Sequence, residues 1–336
     1  MSVNVAIVGA TGAVGHEFLT VLAERKFPIK SLLLLASARS AGKQLEFAGK
    51  TYPVRELTKD SFKDVNIAFF SAGGNVSREF APAAVAAGAV VVDNTSAFRM
   101  KQGVPLVVPE VNPEQIANHN GLIANPNCST IIMNVPVWPL HKTNRVRRII
   151  VSTYQAVSGA GAAGLRELEQ QIKAYAGGAA IERRLFPHQI VHNLFSHNTK
   201  IADNGYNEEE NKMVNETRKI FGDPRIMVSA TCVRVPIPRA HSESINLEFD
   251  RPIAPDEVRQ ILSHAPGVKI VDDREKNYFP IPLDASGQDD VLVGRIRQDI
   301  SRDDGRGIEL FVSGDQVRKG AATNAVQIAE KLVASS

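Results

Sequence analysis

The chain has 336 residues, 43% of them hydrophobic and 22% charged, so it is long enough for two domains of ordinary size and can bury a large core. The 39 basic and 36 acidic residues are interspersed and leave a formal net charge of +3, which gives no reason to expect nucleic acid or an anionic membrane surface as a partner. No apolar run approaches the roughly 20 residues of a membrane-spanning helix, and no signal-peptide pattern follows Met1, so we expect a cytoplasmic protein.

Up to residue 127, apolar runs of strand length alternate with amphipathic stretches of helix length. This alternation predicts βαβ units and a doubly wound, Rossmann-like parallel sheet of the α/β class. The predicted strands cover residues 3–8, 31–35, 67–71 and 90–93, and the predicted helices cover residues 14–25 and 77–88.

From residue 128 the pattern changes to alternating polar and apolar runs, separated by longer irregular segments. Several such runs together predict an antiparallel sheet that carries helices, and therefore a second domain of the α+β type. The runs cover residues 148–154, 226–235, 245–249 and 307–312, with a polar helix at 207–221 and a final amphipathic helix at 320–334.

A glycine-rich segment directly follows the first predicted strand and opens the first predicted helix, which is the context that a dinucleotide-binding fingerprint requires. Glycines allow a tight turn and a close approach to a pyrophosphate, while the N–H groups at the helix start point at the anion. The spacing departs from the usual G-x-G-x-x-G, since Thr11 stands at the second glycine position. A strand-to-helix turn without a ligand is the alternative. The predicted cofactor-binding residues here are Gly9, Thr11, Gly12, Ala13, Val14 and Gly15.

The loop after the second predicted strand contains no acid that would bind the ribose hydroxyls of NAD. It carries Ser37, Arg39 and Ser40 instead, which offer a cation and two hydroxyl groups suited to a 2′-phosphate. The loop therefore favours NADP as the cofactor. A solvated basic loop is the other interpretation of this segment taken alone.

The two cysteines of the chain lie in different contexts. Cys232 lies in an alternating, strand-like run, where a small buried thiol is expected. Cys128 follows the turn residues 125–127 and precedes an apolar segment, so it is predicted at the start of a helix, where partial positive charge stabilises a thiolate. Considered by itself, Cys128 is equally compatible with a reactive nucleophile and with a buried structural thiol.

Four segments in combination resemble the aspartate-semialdehyde dehydrogenase family, and the resemblance covers almost the whole chain. They are the glycine motif at 9–15, Asn127-Cys128-Ser129-Thr130, Gln155 ahead of Ser158-Gly159-Ala160-Gly161, and Arg234 seven residues before His241. The resemblance implies an NADP-binding domain over residues 1–127, to which the helix at 320–336 returns. It implies an α+β catalytic and dimerisation domain of the glyceraldehyde-phosphate-dehydrogenase-like type over residues 128–319.

The resemblance also implies an activity: reduction of β-aspartyl phosphate by NADPH to aspartate semialdehyde and phosphate, on the route to lysine, through diaminopimelate, and to threonine and methionine. The implied partners are these small molecules and further copies of the chain, in a homodimer or a dimer of dimers. Cys128 is the implied nucleophile, whose thiolate displaces phosphate to form a thioester that hydride then reduces. His241 is the implied acid/base catalyst, and Gln155 is implied to orient the reacting group. Taken singly, each residue has a simpler interpretation: Gln155 would merely end a strand, and His241 would be an ordinary histidine in an exposed turn.

The resemblance assigns further residues to the substrate and the cofactor. Arg234 has a planar guanidinium suited to the carboxylate of the substrate. Glu209 matches the family acid that pairs with the ammonium of the substrate, although Glu208 and Glu210 beside it leave the alignment of this position open. Lys212 and Arg99 match the phosphate-binding cations, and Asn127 also belongs to the substrate set. A solvated surface pair is the alternative for Glu209 and Lys212. The implied further cofactor contacts are Ser71, Ala72, Gly73, Ser158, Gly159 and Asn324.

Two other features of the sequence are a group of three histidines and a pair of prolines after Cys128. His188, His192 and His197 lie close in sequence, but their spacing matches no familiar zinc signature and no cysteine or carboxylate accompanies them, so we predict no metal site. Pro136 and Pro139 interrupt the segment after Cys128 and are expected to shorten or kink its helix.

Two rival functions stay open on the sequence. An N-acetyl-glutamyl-phosphate reductase would share the mechanism, but its acetylated amine would leave Glu209 without a counter-charge. A non-catalytic, NADP-binding paralogue would be expected to have lost the nucleophile or the histidine, whereas Cys128 and His241 are both present. Glyceraldehyde-phosphate dehydrogenase is disfavoured because its Cys-Thr-Thr-Asn signature is absent.

Overall fold

The computed structural model describes residues 2–334 and divides them into two compact units. The first unit combines the residues up to Asn127 with the C-terminal segment from Ala321, and the second is the continuous stretch Cys128–Gly320. Residues 1, 335 and 336, which the predicted domain limits include, lie outside the described residues. Within residues 2–334, no helix is both long and apolar enough to cross a membrane.

The first unit is built on a seven-stranded sheet. Its helices are α1 (Ala13–Glu24) and α2 (Gly74–Ala86), and its strands are β1 (Val3–Val8), β2 (Ile29–Ala36), β3 (Gln44–Phe47), β4 (Lys50–Glu56), β5 (Ile67–Phe70), β6 (Val90–Asp93) and β7 (Leu122–Ala124). The strand order is β3-β4-β2-β1-β5-β6-β7, and every pairing is parallel except the β3–β4 hairpin.

The order of this sheet reverses at β1, whose neighbours are β2 on one side and β5 on the other. Ligands of doubly wound sheets bind in the crevice at the carboxyl ends of the strands, at such a switch point. The buried, near-continuous apolar runs of β1 and β5 are typical of central parallel strands. This sheet confirms the predicted Rossmann-like fold and places the glycine segment after β1 at the switch point.

The second unit is built on another seven-stranded sheet, with the order β12-β13-β14-β11-β8-β10-β9. Its elements in chain order are α3 (Cys128–Thr143), β8 (Val146–Gln155), α4 (Ala162–Ala176), β9 (Phe195–Ser196), α5 (Glu208–Phe221), β10 (Met227–Arg234), β11 (His241–Phe249), α6 (Pro255–Ser263), β12 (Val268–Ile270), α7 (Pro282–Ala285), β13 (Val291–Gln298) and β14 (Gly307–Gly314).

This second sheet is mixed, so the predicted antiparallel arrangement was wrong for two of its pairings. β8 pairs with β10 in parallel, and β12 pairs with β13 in parallel. The chain leaves β8 and reaches β10 only after α4 and α5, and a crossover of that length allows parallel pairing. The alternation of polar and apolar residues indicates the strands but does not distinguish the two pairing directions.

The central strands of the second unit have one buried and one partly exposed face. On β8, Thr153 and Gln155 are buried, while Ile150 and Tyr154 point to the opposite face and are each 37% exposed. Helices α3, α5 and α6 pack against the buried face. Met227 of β10 lies on the open face and is 47% exposed, so that an apolar surface stays accessible in the isolated unit.

Helix α3 runs without interruption from Cys128 to Thr143, so Pro136 and Pro139 do not shorten it, and the kink expected from them stays a prediction. Each proline removes one backbone N–H from the helix. Ten of its 16 residues are buried, and its last turns pack Trp138 and His141 against Phe221 of α5. This tertiary packing compensates for the two missing hydrogen bonds.

The last helix, α8 (Thr323–Ala334), belongs to the first unit and follows a π-helical turn, Arg318–Ala322. Its buried face joins the core around α1 and β1 through Ala325, Val326, Ile328 and Ala329. Arg25 at the end of α1 forms a salt bridge of 2.7 Å with Glu330 on the outer side.

Candidate active site

The glycine segment of the first unit is packed too closely to admit side chains at two positions. Gly9 has a φ of +89°, and a Cβ atom there would clash with the backbone of Ser71. A Cβ atom on Gly15 would clash with the carbonyl oxygen of Gly9. The N–H groups of Gly9 and Ala10 donate to the carbonyl of Leu35, which holds the loop over the end of β2. The first-turn N–H groups of α1 therefore lie at the strand ends, where a pyrophosphate is bound in this fold.

The predicted 2′-phosphate residues lie directly after β2. Arg39 is exposed, Ser40 is buried, and the hydroxyl of Thr11 donates to that of Ser40 at 3.5 Å. Residues 36–43 contain no acid. The glycine turn and this basic loop thus adjoin each other, as the binding of an adenosine 2′-phosphate requires.

Asn324 and Asn125 form a buried amide pair within the first unit. The Nδ2 atom of Asn324 donates to the Oδ1 atom of Asn125 at 2.6 Å and to the carbonyl of Val107 at 2.9 Å. These bonds attach the start of α8 to the segment after β7 and to the loop between β6 and β7. The structure gives Asn324 this positioning role, and its contact with a nicotinamide stays a prediction.

Arg99 is buried, and its guanidinium donates to two backbone carbonyls of the first unit, those of Asn94 and Asn125. Asn94 itself has both side-chain amide atoms buried and without a hydrogen-bond partner among the described residues. Sequence reasoning missed Asn94, although its position directly after β6 places it at the ligand-binding edge of the sheet. Asn127, the last residue of the unit before Cys128, is also buried.

Cys128 is the first residue of α3 and is partly exposed. Its Sγ atom lies 3.5 Å from the Nε2 atom of His241, at the start of β11. A Cβ atom on Gly320 would lie 2.8 Å from the Cβ atom of Cys128, so only glycine fits beside it. The helix start and the imidazole together surround the sulfur with groups that stabilise its anionic form.

The protonation of His241 follows from its second hydrogen bond. The backbone N–H of Ala156 donates to its Nδ1 atom at 3.0 Å, so Nδ1 carries no proton and the neutral ring carries its proton on Nε2. Burial, and next the charge of Arg234, hold the pKa of His241 well below its usual range. The ring is therefore neutral near pH 7 and directs an N–H donor at the Sγ atom of Cys128.

Gln155 and Glu209 lie beside the start of α3. The Nε2 atom of Gln155 donates to the hydroxyl of Ser129 at 2.6 Å and to a carboxylate oxygen of Glu209 at 3.2 Å. The other carboxylate oxygen of Glu209 accepts from the ammonium of Lys212 at 3.0 Å. The Oε1 atom of Gln155 is buried and has no hydrogen-bond partner among the described residues. Gln155 thus keeps one buried acceptor beside the start of α3.

The structure separates the three consecutive glutamates that the sequence could not distinguish. Glu210 forms the capping box of α5 with Asn207 and accepts from the backbone N–H of Cys232. Glu208 is exposed. Glu209 is the member of the three that lies beside Gln155, so its position suits the predicted role of pairing with an ammonium.

Arg234 is buried at the end of β10, and three groups hold its guanidinium in place. Its Nη1 atom donates to the carbonyl of Ala156 at 2.7 Å, and its Nη2 atom lies 2.7 Å from the Nε2 atom of His197. The ring centre of Phe186 lies 5.9 Å from its central carbon. The Nε–H group of Arg234 has no partner among residues 2–334, which leaves a buried donor for a carboxylate.

Ser158 and Gly159, predicted to contact the cofactor, lie in the turn after β8. The hydroxyl of Ser158 accepts from the side-chain amide of Gln316. A Cβ atom on Gly159 would lie 3.1 Å from the Nη1 atom of Arg234 and 3.3 Å from the Cε1 atom of His241. Gly159 therefore provides the space that these two side chains occupy.

The three neighbouring histidines do not form a cluster. The ring of His188 packs against Phe195, the ring of His192 packs against Tyr175, and His197 contacts Arg234. Residues 2–334 contain no group of three or more histidine, cysteine or acidic side chains that could hold a metal ion.

Comparisons with known proteins match both units. The family model described as the NAD binding domain of semialdehyde dehydrogenase matches residues 4–119, and the one described as its dimerisation domain matches residues 137–319. An aspartate-semialdehyde dehydrogenase of Synechocystis sp. is 54% identical over 331 residues, which are 98% of this chain and 97% of the relative. The chain belongs to the aspartate-semialdehyde dehydrogenase family.

Other aspartate-semialdehyde dehydrogenases agree with this membership. The Aquifex aeolicus enzyme is 52% identical over 99% of this chain and 98% of its own length. The crystal structure of aspartate semialdehyde dehydrogenase II from Vibrio cholerae has a TM-score of 0.96 and 50% identity, with 99% of each chain covered. The family predicted from the sequence is thereby confirmed, and the reductase of N-acetyl-glutamyl phosphate is not favoured.

Proposed function

We propose that this chain is an NADPH-dependent aspartate-semialdehyde dehydrogenase, which reduces β-aspartyl phosphate to aspartate semialdehyde and phosphate. The observation that carries the proposal is the placement of Cys128 at the start of α3, with its Sγ atom 3.5 Å from the Nε2 atom of a buried His241. Relatives that are about half identical over nearly the whole chain bear this enzyme name.

The second unit supplies the groups for covalent catalysis. The thiolate of Cys128 attacks the acyl carbon of the aspartyl phosphate, the bond from that carbon to the phosphate oxygen breaks, and phosphate leaves with the bonding electron pair. NADPH, when bound, supplies the hydride that reduces the resulting thioester. The Nε2–H group of His241 can lend its proton to the oxyanion of the thiohemiacetal and take it back when the carbon–sulfur bond breaks. The aldehyde is released in this step, and the thiolate of Cys128 is regenerated.

The same unit offers complementary groups for the α-amino acid part of the substrate. We propose that Arg234 pairs with the carboxylate through its guanidinium, whose Nε–H group is still available, and that Glu209 pairs with the ammonium. Gln155 orients the acyl group through its unpartnered Oε1 atom or its amide N–H. Lys212, Arg99 and Asn127 keep the substrate-binding roles that the family resemblance implies.

We propose NADP as the cofactor of the first unit. The glycine turn after β1, the exposed Arg39 and the lack of an acid in residues 36–43 all suit a dinucleotide with a 2′-phosphate. A structure of aspartate semialdehyde dehydrogenase from Candida albicans with NADP has a TM-score of 0.77 and 26% identity to this chain, with 99% of each chain covered.

We further propose that two copies of the chain pair through the open face of the second sheet, around Ile150, Tyr154 and Met227. These residues are 37–47% exposed in the single chain, and the matching family model is described as a dimerisation domain. An exposed apolar sheet face of this kind marks an interaction surface. We also propose that two such dimers can associate into a tetramer. The protein is proposed to be cytoplasmic.

The experiment that tests the function is phosphate-dependent reduction of NADP by the purified chain with aspartate semialdehyde. We expect turnover in the wild type, loss of about 10⁴-fold or more in Cys128→Ala, and retained turnover in Cys232→Ala, since burial raises the pKa of the Cys232 thiol and keeps it inert. N-acetylglutamate semialdehyde serves as the second substrate.

Three outcomes would contradict the proposal in different ways. A folded, NADP-binding wild type without turnover would indicate a non-catalytic paralogue. Turnover of N-acetylglutamate semialdehyde alone would show that Glu209 does not pair with a substrate ammonium. Turnover that survives Cys128→Ala would exclude Cys128 as the nucleophile.

A further inference from the structure

We propose that His197 is a positioning residue that ties Arg234 to the first turn of α5, and so sets the separation between the groups that bind the carboxylate and the ammonium of the substrate. This inference rests on the proposed function. According to this inference, His197 helps the enzyme to prefer a substrate with an α-amino group over the same acid without that group.

The first half of this connection is the contact between His197 and Arg234. The Nη2 atom of Arg234 lies 2.7 Å from the Nε2 atom of His197. Because a guanidinium has only donors, Nε2 of His197 must be the acceptor, and it carries no proton. Phe186 lies beneath the guanidinium and Ala156 accepts from its other terminal nitrogen, so Arg234 has contacts on three sides.

The second half follows from the tautomer. With Nε2 unprotonated, the proton of the neutral ring lies on Nδ1, which is 3.3 Å from the hydroxyl oxygen of Thr199 and donates to it. The same oxygen accepts from the backbone N–H of Glu209 at 3.3 Å. One imidazole and one hydroxyl thus connect the guanidinium to the turn that carries the Glu209 carboxylate.

The backbone of His197 reinforces the connection on both sides. Its N–H donates to the carbonyl of Cys232 on β10 at 2.8 Å, and its carbonyl accepts from the side chain of Asn207, the N-cap of α5, at 3.4 Å. Burial lowers the pKa of His197 to about 4, against the opposing effect of Glu209. The ring is therefore neutral near pH 7 and can accept from Arg234.

The arrangement has a consequence for specificity. A substrate that carries a carboxylate and an ammonium on one carbon needs its two binding groups at a fixed separation, and rigid support of the site is what discriminates it from an analogue that lacks one group. Loss of the His197 ring removes an acceptor from a buried charged donor, which costs about tenfold in binding.

The test compares kinetic constants of the full-length enzyme for aspartate semialdehyde and for succinate semialdehyde, which lacks only the α-ammonium. We expect His197→Ala to raise KM for aspartate semialdehyde about tenfold, to change kcat by no more than about twofold, and to narrow the preference over succinate semialdehyde. His197→Gln should return KM to within about threefold of the wild type, because its side-chain oxygen can accept from Arg234.

His192→Asn is the matched control. It removes an exposed imidazole from the same segment, at a residue whose φ of +53° asparagine tolerates, and should leave all constants unchanged. The proposal is overturned if His197→Ala changes neither KM nor the preference, if it lowers kcat with KM unchanged, or if the glutamine variant is no better than alanine. Should the alanine variant not fold, His197→Leu, which fills the space of the ring but offers no acceptor to Arg234, decides by the same KM and the same preference.

The outcomes separate this inference from the proposed function. A wild type without turnover would reject both. A wild type that turns over aspartate semialdehyde, with His197 variants that behave as the wild type does, would reject only the role of His197.

Discussion

The Nδ1 atom of His241 accepts a hydrogen bond from the backbone N–H of Ala156, and this bond determines that the ring faces Cys128 with an N–H group. In the mechanism that we propose, a histidine held in this way donates a hydrogen bond to the thiolate and becomes a proton acceptor only after it has given that proton away. The tautomer would thus set the order of the proton transfers in that mechanism.

The first prediction concerns pH. Because the pKa of His241 lies well below its usual value of 6.5, its protonation should not reduce kcat as the pH falls from 7.5 to 6.5. A profile of kcat, measured with both substrates saturating at every pH, checks this. An acid limb centred near pH 6.5 that His241→Gln abolishes would show that the ring titrates normally.

The second prediction concerns Gly159. A methyl group there would lie 3.1 Å from Arg234 and 3.3 Å from His241, so Gly159→Ala should lower kcat/KM by about tenfold or more, because small displacements of catalytic groups are costly. The backbone φ of Gly159 is not positive, so the melting temperature should hardly change. Unchanged kinetics in the folded variant would show that Arg234 and His241 can move without cost.

The third prediction concerns the cofactor. Arg39→Asp should raise KM for NADP about 10- to 100-fold and improve the use of NAD relative to NADP, since it replaces a phosphate-binding cation by an acid suited to ribose hydroxyls. Lys43→Asp, which changes an exposed cation of the same loop in the same way, is the control. An equal effect of both substitutions would indicate only a general electrostatic attraction.

The fourth prediction concerns association. Tyr154→Asp places a charge on the open face of the second sheet and should raise the dimer dissociation constant at least about 100-fold, because a buried, unpaired charge costs several kcal/mol. Light scattering over a dilution series measures it. Tyr175→Asp, at a residue of α4 that is 58% exposed, should leave the dimer intact. A Tyr154→Asp variant that dimerises as the wild type does would place the interface elsewhere.

The fifth prediction concerns stability. Glu243 of β11 is fully buried, and neither carboxylate oxygen has a hydrogen-bond partner among the described residues. Burial raises its pKa well above 4.5, so the folded state retains a proton that the unfolded state loses. Its contribution to stability is therefore complete below about pH 4.5 and declines as the pH rises toward the folded-state pKa.

Glu243→Gln, which keeps the shape and removes the titration, should be more stable than the wild type at pH 8 and similar to it at pH 5. Melting temperatures at the two pH values measure this difference, at about 3 °C for each kcal/mol. Glu248→Gln, at a partly exposed position of the same strand, should show no gain at pH 8. A loss of stability in Glu243→Gln at both pH values would mean that the carboxylate has partners of its own.

Much of the fold was predictable because the strands and helices follow from the spacing of apolar residues within short segments. The predicted strand at 3–8 coincides with β1, and the predicted helix at 207–221 differs from α5 by one residue. The hairpin of β3 and β4 was missed because most of the residues of β4 are exposed, so it has no apolar run. The parallel pairing of β8 and β10 was missed because it depends on a crossover of more than 70 residues, which no local pattern reports.

The site residues likewise fall into those that local sequence predicts and those that depend on contacts between distant parts of the chain. Cys128 at a helix start and the glycine turn follow from local sequence, and the structure places both where they were expected. The choice of Glu209 among three glutamates depends on the capping of α5 by Asn207 and Glu210, which rotates Glu209 toward Gln155. The contact of His197 with Arg234 joins residues 37 positions apart and has no sequence signal at all.

The return of α8 to the first unit has a consequence for synthesis. The core around β1 includes Ala325, Val326, Ile328 and Ala329, which are synthesised after the whole of the second unit, so the nucleotide-binding unit cannot complete its packing until these residues have been added. The second unit is continuous from Cys128 to Gly320 and can finish folding earlier. The N-terminal part of the first unit thus stays incomplete until α8 has been synthesised, and a message truncated before residue 323 would yield a folded second unit attached to an unfinished first one.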